Sequence, residues 1–294
     1  MAVGASLPAM ADEGYGGAGH PSDRAESVYV GADLTDLRVE RRDGGVVTLT
    51  LALPERRNMM SAAMTASWGE AMAGLRADPS VRVVVVTGEG SAFCSGGDVS
   101  WIGATPDASV DELRLRMLPF YRTWLAVREL EAVTIAAING AAIGAGLALA
   151  LACDLRYAAD DAKLAVPFTA LGMHAGMATT YLLPEVAGLA VAREMLLTGR
   201  VVTGAEAVGL GLVNRAFPRE DMLGAALQVA EAVAAAAPVA TRLTKVALLG
   251  GGHASFDAAL QWEALAQPIT LATADLQEGL AAQRERRAPR FTGR

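Results

Sequence analysis

Ser91-Ala92-Phe93-Cys94-Ser95-Gly96-Gly97-Asp98 and Asn139-Gly140-Ala141-Ala142-Ile143-Gly144-Ala145-Gly146 are the two stretches of this chain whose residue types point to chemistry. Each follows a run that reads as a buried strand, residues 81–87 and 133–138. Each is nearly stripped of side chains where the strand gives way to a helix. Such turns leave backbone N–H groups bare at a helix mouth, and two of them converging on one point make an oxyanion hole. The chemistry it serves is polarisation of a carbonyl whose oxygen becomes negative in the transition state. Tight strand-to-helix turns are the plainer account of either loop alone; the two together at this spacing favour the donor pair.

The elements that must position these loops follow from the hydrophobic pattern. Strands are expected at 37–41 and 46–51, joined by the hairpin signal Asp43-Gly44-Gly45. A helix follows over 61–76 with Ser61 as its N-cap. The β-branched run at 81–87 lacks alternation, as a strand covered on both faces does. After the first glycine loop come an irregular segment over 103–109 and a long helix to about residue 131. The buried-strand pattern returns at 133–138, and a short strand is expected at 154–158. This recurrence of strand, turn and helix points to an α/β fold built as a repeating ββα spiral. From about Pro184 the chain reads as helix: 189–198, 204–209, 221–236, 240–249, 256–266 and 272–286, with one late strand at 213–217.

The pair of loops resembles the two signature segments of the crotonase (enoyl-CoA hydratase/isomerase) superfamily. The similarity runs from about Leu37 to Gly293 and includes Pro54-Glu55-Arg56-Arg57-Asn58, Leu197-Thr198-Gly199, Gly209-Leu210-Gly211-Leu212-Val213-Asn214 and Arg286-Arg287-Ala288-Pro289-Arg290-Phe291. The order and spacing of these segments carry the resemblance, because each alone is weak. It implies a ββα spiral core over 34–200 that holds an acyl-CoA site, and a mostly helical trimerisation region over 201–294. It also implies an acyl-CoA thioester as substrate, a homotrimer or a hexamer made of two trimers, and a place in fatty-acid metabolism. No separate cofactor is expected, since coenzyme A is part of the substrate.

Matched position by position, the two donors fall on the N–H groups of Gly97 and Ala145. Hydratases of the family place one glutamate in the helix after the second loop and another after the next strand. Those positions are Ala148 and Phe168 here, and the aspartate that other relatives use falls on Gly176. Adding water across a double bond needs one group to activate water and one to deliver a proton. Alanine and phenylalanine do neither, so a proton shift between carbons is favoured over hydration. His174, in a glycine-containing turn, carries an imidazole, a side chain suited to shuttling protons, and is the candidate acid/base; a hydrogen-bonded loop residue is the competing account. Tyr121 and Glu112 on the preceding long helix are further candidates, against a solvated helix face. Arg56 and Arg57 suit the coenzyme A phosphates by charge and fork geometry. Arg286 and Arg287 match a basic tail that approaches this site in relatives. Ser95, Gly96, Asp98, Gly144 and Phe168 complete the expected substrate contacts, with Asp98 read as a cap and loop brace more than a base. A non-catalytic acyl-CoA-binding protein and a thioester hydrolase or decarboxylase on the same scaffold remain open.

Composition narrows the field further. A chain of 294 residues with 52% hydrophobic residues buries a large core, and 19% charged residues leave apolar surface for other subunits to cover. A formal charge of −7 argues against nucleic acid as a partner. Two cysteines, Cys94 and Cys153, read as free thiols in a reducing cytoplasm. With three histidines and no Cys/His cluster, no metal site is expected. Residues 1–33 read as a disordered leader without the regions of a signal peptide. The uncharged run 132–153 resembles a membrane span only until its β-branched start and its Asn139-Gly140 turn divide it into a strand and a helix.

Overall fold

The computed structural model describes residues 34–98 and 107–294. The expected leader and most of the irregular segment 103–109 lie outside them. Two sheets organise the fold. The first contains β1 (Leu37–Arg42), β2 (Val46–Leu51), β3 (Val83–Gly88), β5 (Val133–Ile138), β7 (Leu155–Ala159) and β10 (Arg215–Phe217), hydrogen-bonded in that order. Only β1 and β2 pair antiparallel, through the turn Asp43–Gly45; the rest pair parallel. The second sheet has the order β4 (Ala92–Cys94), β6 (Ala141–Ile143), β8 (Lys163–Ala165) and β9 (Val202–Thr203). Strands β3, β5 and β7 of the first sheet are each followed at once by a strand of the second. That alternation is the ββα repeat expected from the sequence.

A parallel sheet must be covered on both faces, which is why β3 shows no polar alternation. Val84 and Val86 face the larger core, with Met64, Trp68, Met72 and Leu75 of α1 (Ala62–Ala77). Val83 and Val85 face Met222, Ala226 and Ala230 of α6 (Arg219–Ala234). Ser61 caps α1 by accepting from Met64 N–H, as the sequence pattern predicts. In α2 (Val110–Leu125), Trp124 stacks on Trp68 at 4.9 Å between ring centroids and donates from Nε1 to Thr65 Oγ1. The uncharged run 132–153 resolves into β5, β6 and α3 (Ala145–Ala152), which is buried on all sides. Among the described residues no single helix is long and apolar enough to cross a membrane.

Several boundaries differ from expectation for local reasons. The helix expected from residue 189 begins at Thr179, as α4 (Thr179–Thr198), and passes through Pro184 to a break at Gly188 with φ 77° and ψ 164°. Pro184 is the sixth residue of this helix, so its missing N–H leaves one intrahelical bond unmade, yet the helix continues through it to Gly188 and Pro184 does not mark the boundary. The long helix ends at Leu125 and closes in a 3₁₀ turn, Ala126–Glu129. Strands β4, β6, β8 and β9 are two or three residues long, too short to show a period, and exist because neighbouring strands pair with them. The expected division at residue 200 does not separate the sheets, since β9 and β10 complete them from beyond it.

The C-terminal part contains α5 (Gly204–Gly209), α6, α7 (Pro238–Leu248), α8 (Phe256–Leu271) and α9 (Ala274–Glu285). Helix α7 is anchored by Lys245, which is buried and donates to Ala132 O at 2.7 Å and to Asp154 at 2.8 Å. The last residues fold back on α9. The buried Asp275 carboxylate accepts from Thr292 N–H and Gly293 N–H. Helix α8 leaves Phe256, Leu260, Leu265 and Ile269 exposed.

Candidate active site

The two glycine loops lie side by side at the ends of β4 and β6. These strands pair in parallel, with Ala92 opposite Ala141 and Cys94 opposite Ala142. Gly96 adopts φ +97°, and a Cβ built on it would fall 2.8 Å from Ile143 O and 3.4 Å from Ala145 N. A Cβ on Gly146 would fall 2.1 Å from Cys94 O. Neither loop has room for a methyl group toward the other, so glycine is required at both positions by close approach.

Gly144 N–H donates to Ala165 O at 2.8 Å, and Gly144 O accepts from Ala148 N at 3.0 Å. Ala145 opens α3, where an N–H has no acceptor within its own helix. The first loop is fastened on its other side, where Met60 N–H donates to Gly96 O at 2.8 Å and Gly97 bridges to Met60. Among the described residues neither Gly97 N–H nor Ala145 N–H has an acceptor. A helix start also concentrates positive potential, which favours an oxyanion placed there.

The cationic loop is tied to the same place. Ser95 N–H donates to Arg57 O at 3.0 Å, and Ser95 Oγ to Arg56 O at 3.4 Å. Arg56 and Arg57 are exposed, and Arg56 lies 3.8 Å from Asp98. Phe168 is half-buried, with ring atoms 3.7 and 3.8 Å from the place a Cβ on Gly144 would take. Ala148 is fully buried, one turn into α3. His174 is exposed, and its Nδ1 lies 2.7 Å from Ala175 O. A carbonyl only accepts, so Nδ1 carries the hydrogen and the neutral ring keeps its lone pair on Nε2.

Several other titratable groups are engaged in bonds or kept neutral by burial. Glu112 accepts from Ser109 N–H and Oγ in a capping box, and those bonds hold its carboxyl below the usual range. Burial pushes the Cys94 thiol up to about 12, so it is no nucleophile at neutral pH. Arg287 binds Glu278 and Glu285, and its hydrogen bonds hold the Glu278 carboxyl at about 2. Arg287 therefore braces the tail. Arg286 is in the left-handed C-cap of α9.

Asn58 is the residue that the chemical reading of the sequence passes over. It is wholly buried with φ +53°; its Oδ1 accepts from Leu53 N–H at 2.9 Å. Its Nδ2 donates to Glu89 O at 2.9 Å and to Ala92 O at 2.8 Å. One amide thus joins the arginine loop to both sides of the turn that enters β4. The signal in the sequence is an asparagine closing a turn after Pro54, since asparagine tolerates the left-handed region.

A spiral of paired strands with two abutting glycine loops, whose Gly97 and Ala145 N–H groups have no acceptor among the described residues, is an α/β arrangement able to receive a developing negative charge. The family model described as enoyl-CoA hydratase/isomerase matches residues 41–294. A Thermus thermophilus protein whose name assigns it provisionally to the enoyl-CoA hydratases is 38% identical over 253 residues, 86% of this chain and 100% of that protein. The (E)-benzylidenesuccinyl-CoA hydratase of Thauera aromatica is 36% identical over 253 residues, 84% of this chain and 96% of that one. The crystal structure of enoyl-CoA hydratase from Bacillus anthracis superposes with a TM-score of 0.82 at 32% identity, covering 88% of this chain and 100% of that one. The chain belongs to the enoyl-CoA hydratase/isomerase family.

Replacing Asn58 by Ala leaves Leu53 N–H, Glu89 O and Ala92 O without their partner and puts alanine at a left-handed φ. The expected loss is about 3 kcal/mol, from buried groups left unsatisfied, together with reduced turnover from a loosened first loop. Urea unfolding and acyl-CoA kinetics on Asn58→Ala measure both; parental stability would show that the Asn58 bonds do not hold the loop.

Proposed function

We propose that this protein processes acyl-CoA thioesters by stabilising the thioester enolate between Gly97 N–H and Ala145 N–H. The observation that carries the reading is the close approach of the two glycine loops, with neither N–H group meeting an acceptor among the described residues. Polarising the thioester carbonyl acidifies its α-carbon, and donors aimed at the developing charge act more strongly on the enolate than on the neutral carbonyl.

The reaction we favour is a proton shift between carbons. Relatives named as hydratases weigh toward hydration. Against that stand the two positions expected to carry glutamate. Ala148 is buried in a helix and Phe168 lays a ring beside Gly144. Neither moves a proton. An isomerase works with one group that takes a proton and returns it, and His174, with its Nε2 lone pair, is the group we assign. Arg56 and Arg57 take the coenzyme A phosphates, Asp98 holds Arg56, and Ser95, Gly96 and Gly144 shape the floor around the thioester. A protein that binds acyl-CoA without turnover is the second reading, favoured by the capture of Glu112 and Arg287 in structural pairs. A thioester hydrolase or decarboxylase is distinguished by its products, free acid or carbon dioxide.

The apolar side chains exposed on α8 support assembly into a homotrimer or a pair of trimers, and buried thiols support a cytoplasmic setting. Light scattering at micromolar concentration is expected to give a trimer or hexamer. A stable monomer overturns the assembly.

Hydration of crotonyl-CoA is expected to run orders of magnitude below a typical kcat of about 10 s⁻¹. A rate near that value would mean that another residue supplies acid and base. The donor pair is tested by Gly97→Pro, which removes one N–H without adding a polar group. Loss of one donor costs about 3 kcal/mol in the transition state, roughly a hundredfold in rate. In a protein that only binds, the same change weakens thioester affinity modestly. A Gly97→Pro variant that is folded by circular dichroism and works like the parent removes Gly97 from the oxyanion hole.

A further inference from the structure

The Tyr121 hydroxyl occupies the space that a side chain at position 176 would fill. A Cβ built on Gly176 would fall 2.6 Å from Tyr121 Oη and 3.1 Å from its Cζ. The φ of Gly176 lies outside the left-handed region, so its conformation does not call for glycine. The phenol does. Among the described residues Tyr121 Oη has no hydrogen-bond partner, and it is not among the fully buried polar atoms left unsatisfied. The side chain is half-buried, so its hydroxyl is not sealed inside the core.

The chain around Gly176 leads back to the second glycine loop. The segment holding Gly176 begins at Phe168, beside Gly144, and ends where Thr179 starts α4, with Thr179 Oγ1 donating to Gly176 O at 2.6 Å. Met177 and Ala178 in between both take left-handed φ values, 54° and 51°. Two such residues in succession are held only by the surrounding structure, which places this segment firmly. Helix α2, which carries Tyr121, packs on α3, the helix that Ala145 opens. Tyr121 packs with Phe120 and Phe168 against the apolar cluster that contains Ala148 and Met177, so the phenol is a polar group on an apolar surface. Desolvation raises the Tyr121 pKa above its ordinary value, so the hydroxyl stays protonated at neutral pH and donates.

A hydrocarbon chain laid over this hydroxyl would strip it of water and give nothing back, a penalty that an acceptor oxygen removes. Sites built to hydrogen-bond a substrate group reject analogues lacking it far more strongly than apolar pockets sort by size. We propose that Tyr121 is a specificity residue whose hydroxyl donates to an oxygen on the acyl chain itself, beyond the thioester carbonyl. The preferred substrates are then coenzyme A thioesters of oxygenated acids. This rests on the reading of Gly97 and Ala145 as the thioester site.

The test is calorimetric titration of the full-length protein, Tyr121→Phe and Gly176→Ala with butyryl-CoA, 3-hydroxybutyryl-CoA, acetoacetyl-CoA and succinyl-CoA. The first ligand has no chain oxygen; the others carry a hydroxyl, a ketone and a carboxylate. The parent is expected to bind at least one oxygenated thioester about tenfold more tightly than butyryl-CoA, and the arm with the largest preference identifies the oxygen. Tyr121→Phe removes the donor and should bring that ratio close to one. Gly176→Ala keeps the phenol but displaces it, and should do the same, which a general loss of packing would not. A parent without the preference, or a preference that survives in both variants, overturns the proposal while acyl-CoA binding itself stands. A parent that binds none of the four overturns the thioester site and this inference together.

Discussion

The contact between the two glycine loops, closer than a methyl group allows, is the constraint on which the rest of the structure depends. Cys94 O and Ile143 O occupy positions that side chains at 146 and 96 would need. The approach is set by the parallel pairing of β4 with β6, two strands too short to stand alone, which hang from β3 and β5 of the larger sheet. The larger sheet must in turn be rigid. Its central strands are buried on both faces, and interiors packed to crystal-like density do not yield by the fraction of an ångström that would separate the donors.

A second consequence is electrostatic. Charged side chains that the sequence offers as site residues are engaged in structural pairs: Asp98 lies beside Arg56, Glu112 caps α2, and Arg287 joins Glu278 and Glu285 in the tail. The helix that Ala145 opens is apolar and buried along its whole length. Fixed dipoles in such surroundings act on a developing charge with little screening and need no reorganisation when it forms. In the proposed reaction, stabilisation of the enolate is thus separated from proton transfer: the backbone would do the first, and His174, on the segment between Phe168 and Thr179, the second.

Much of this was legible in the sequence because it depends on local pattern. Unbroken β-branched runs at Val83–Gly88 and Val133–Ile138 have no place except inside a covered parallel sheet, and glycine at both strand ends has no cheaper explanation than backbone exposure or close approach. The hairpin at Asp43–Gly45 and the cap at Ser61 are decided by neighbours within four residues. Periodicity could not reveal β8 or β9, whose two or three residues form strands only because β6 offers a partner to β8 and β8 to β9. Nor could it place the start of α4, where Pro184 reads as a boundary in sequence but lies inside the helix.

The same division holds at the site. Residue types and spacing alone determined that two bare turns exist, that Ala148 and Phe168 supply no proton, and that two arginines follow the second strand. Which groups meet was decided by tertiary structure, because meeting depends on distance and not on order along the chain. Asn58 joins Leu53, Glu89 and Ala92 across more than thirty residues of sequence. Tyr121 reaches Gly176 across a still longer interval. Both contacts rest on side chains whose partners are a backbone group and an empty space, and neither partner has a residue type to be read.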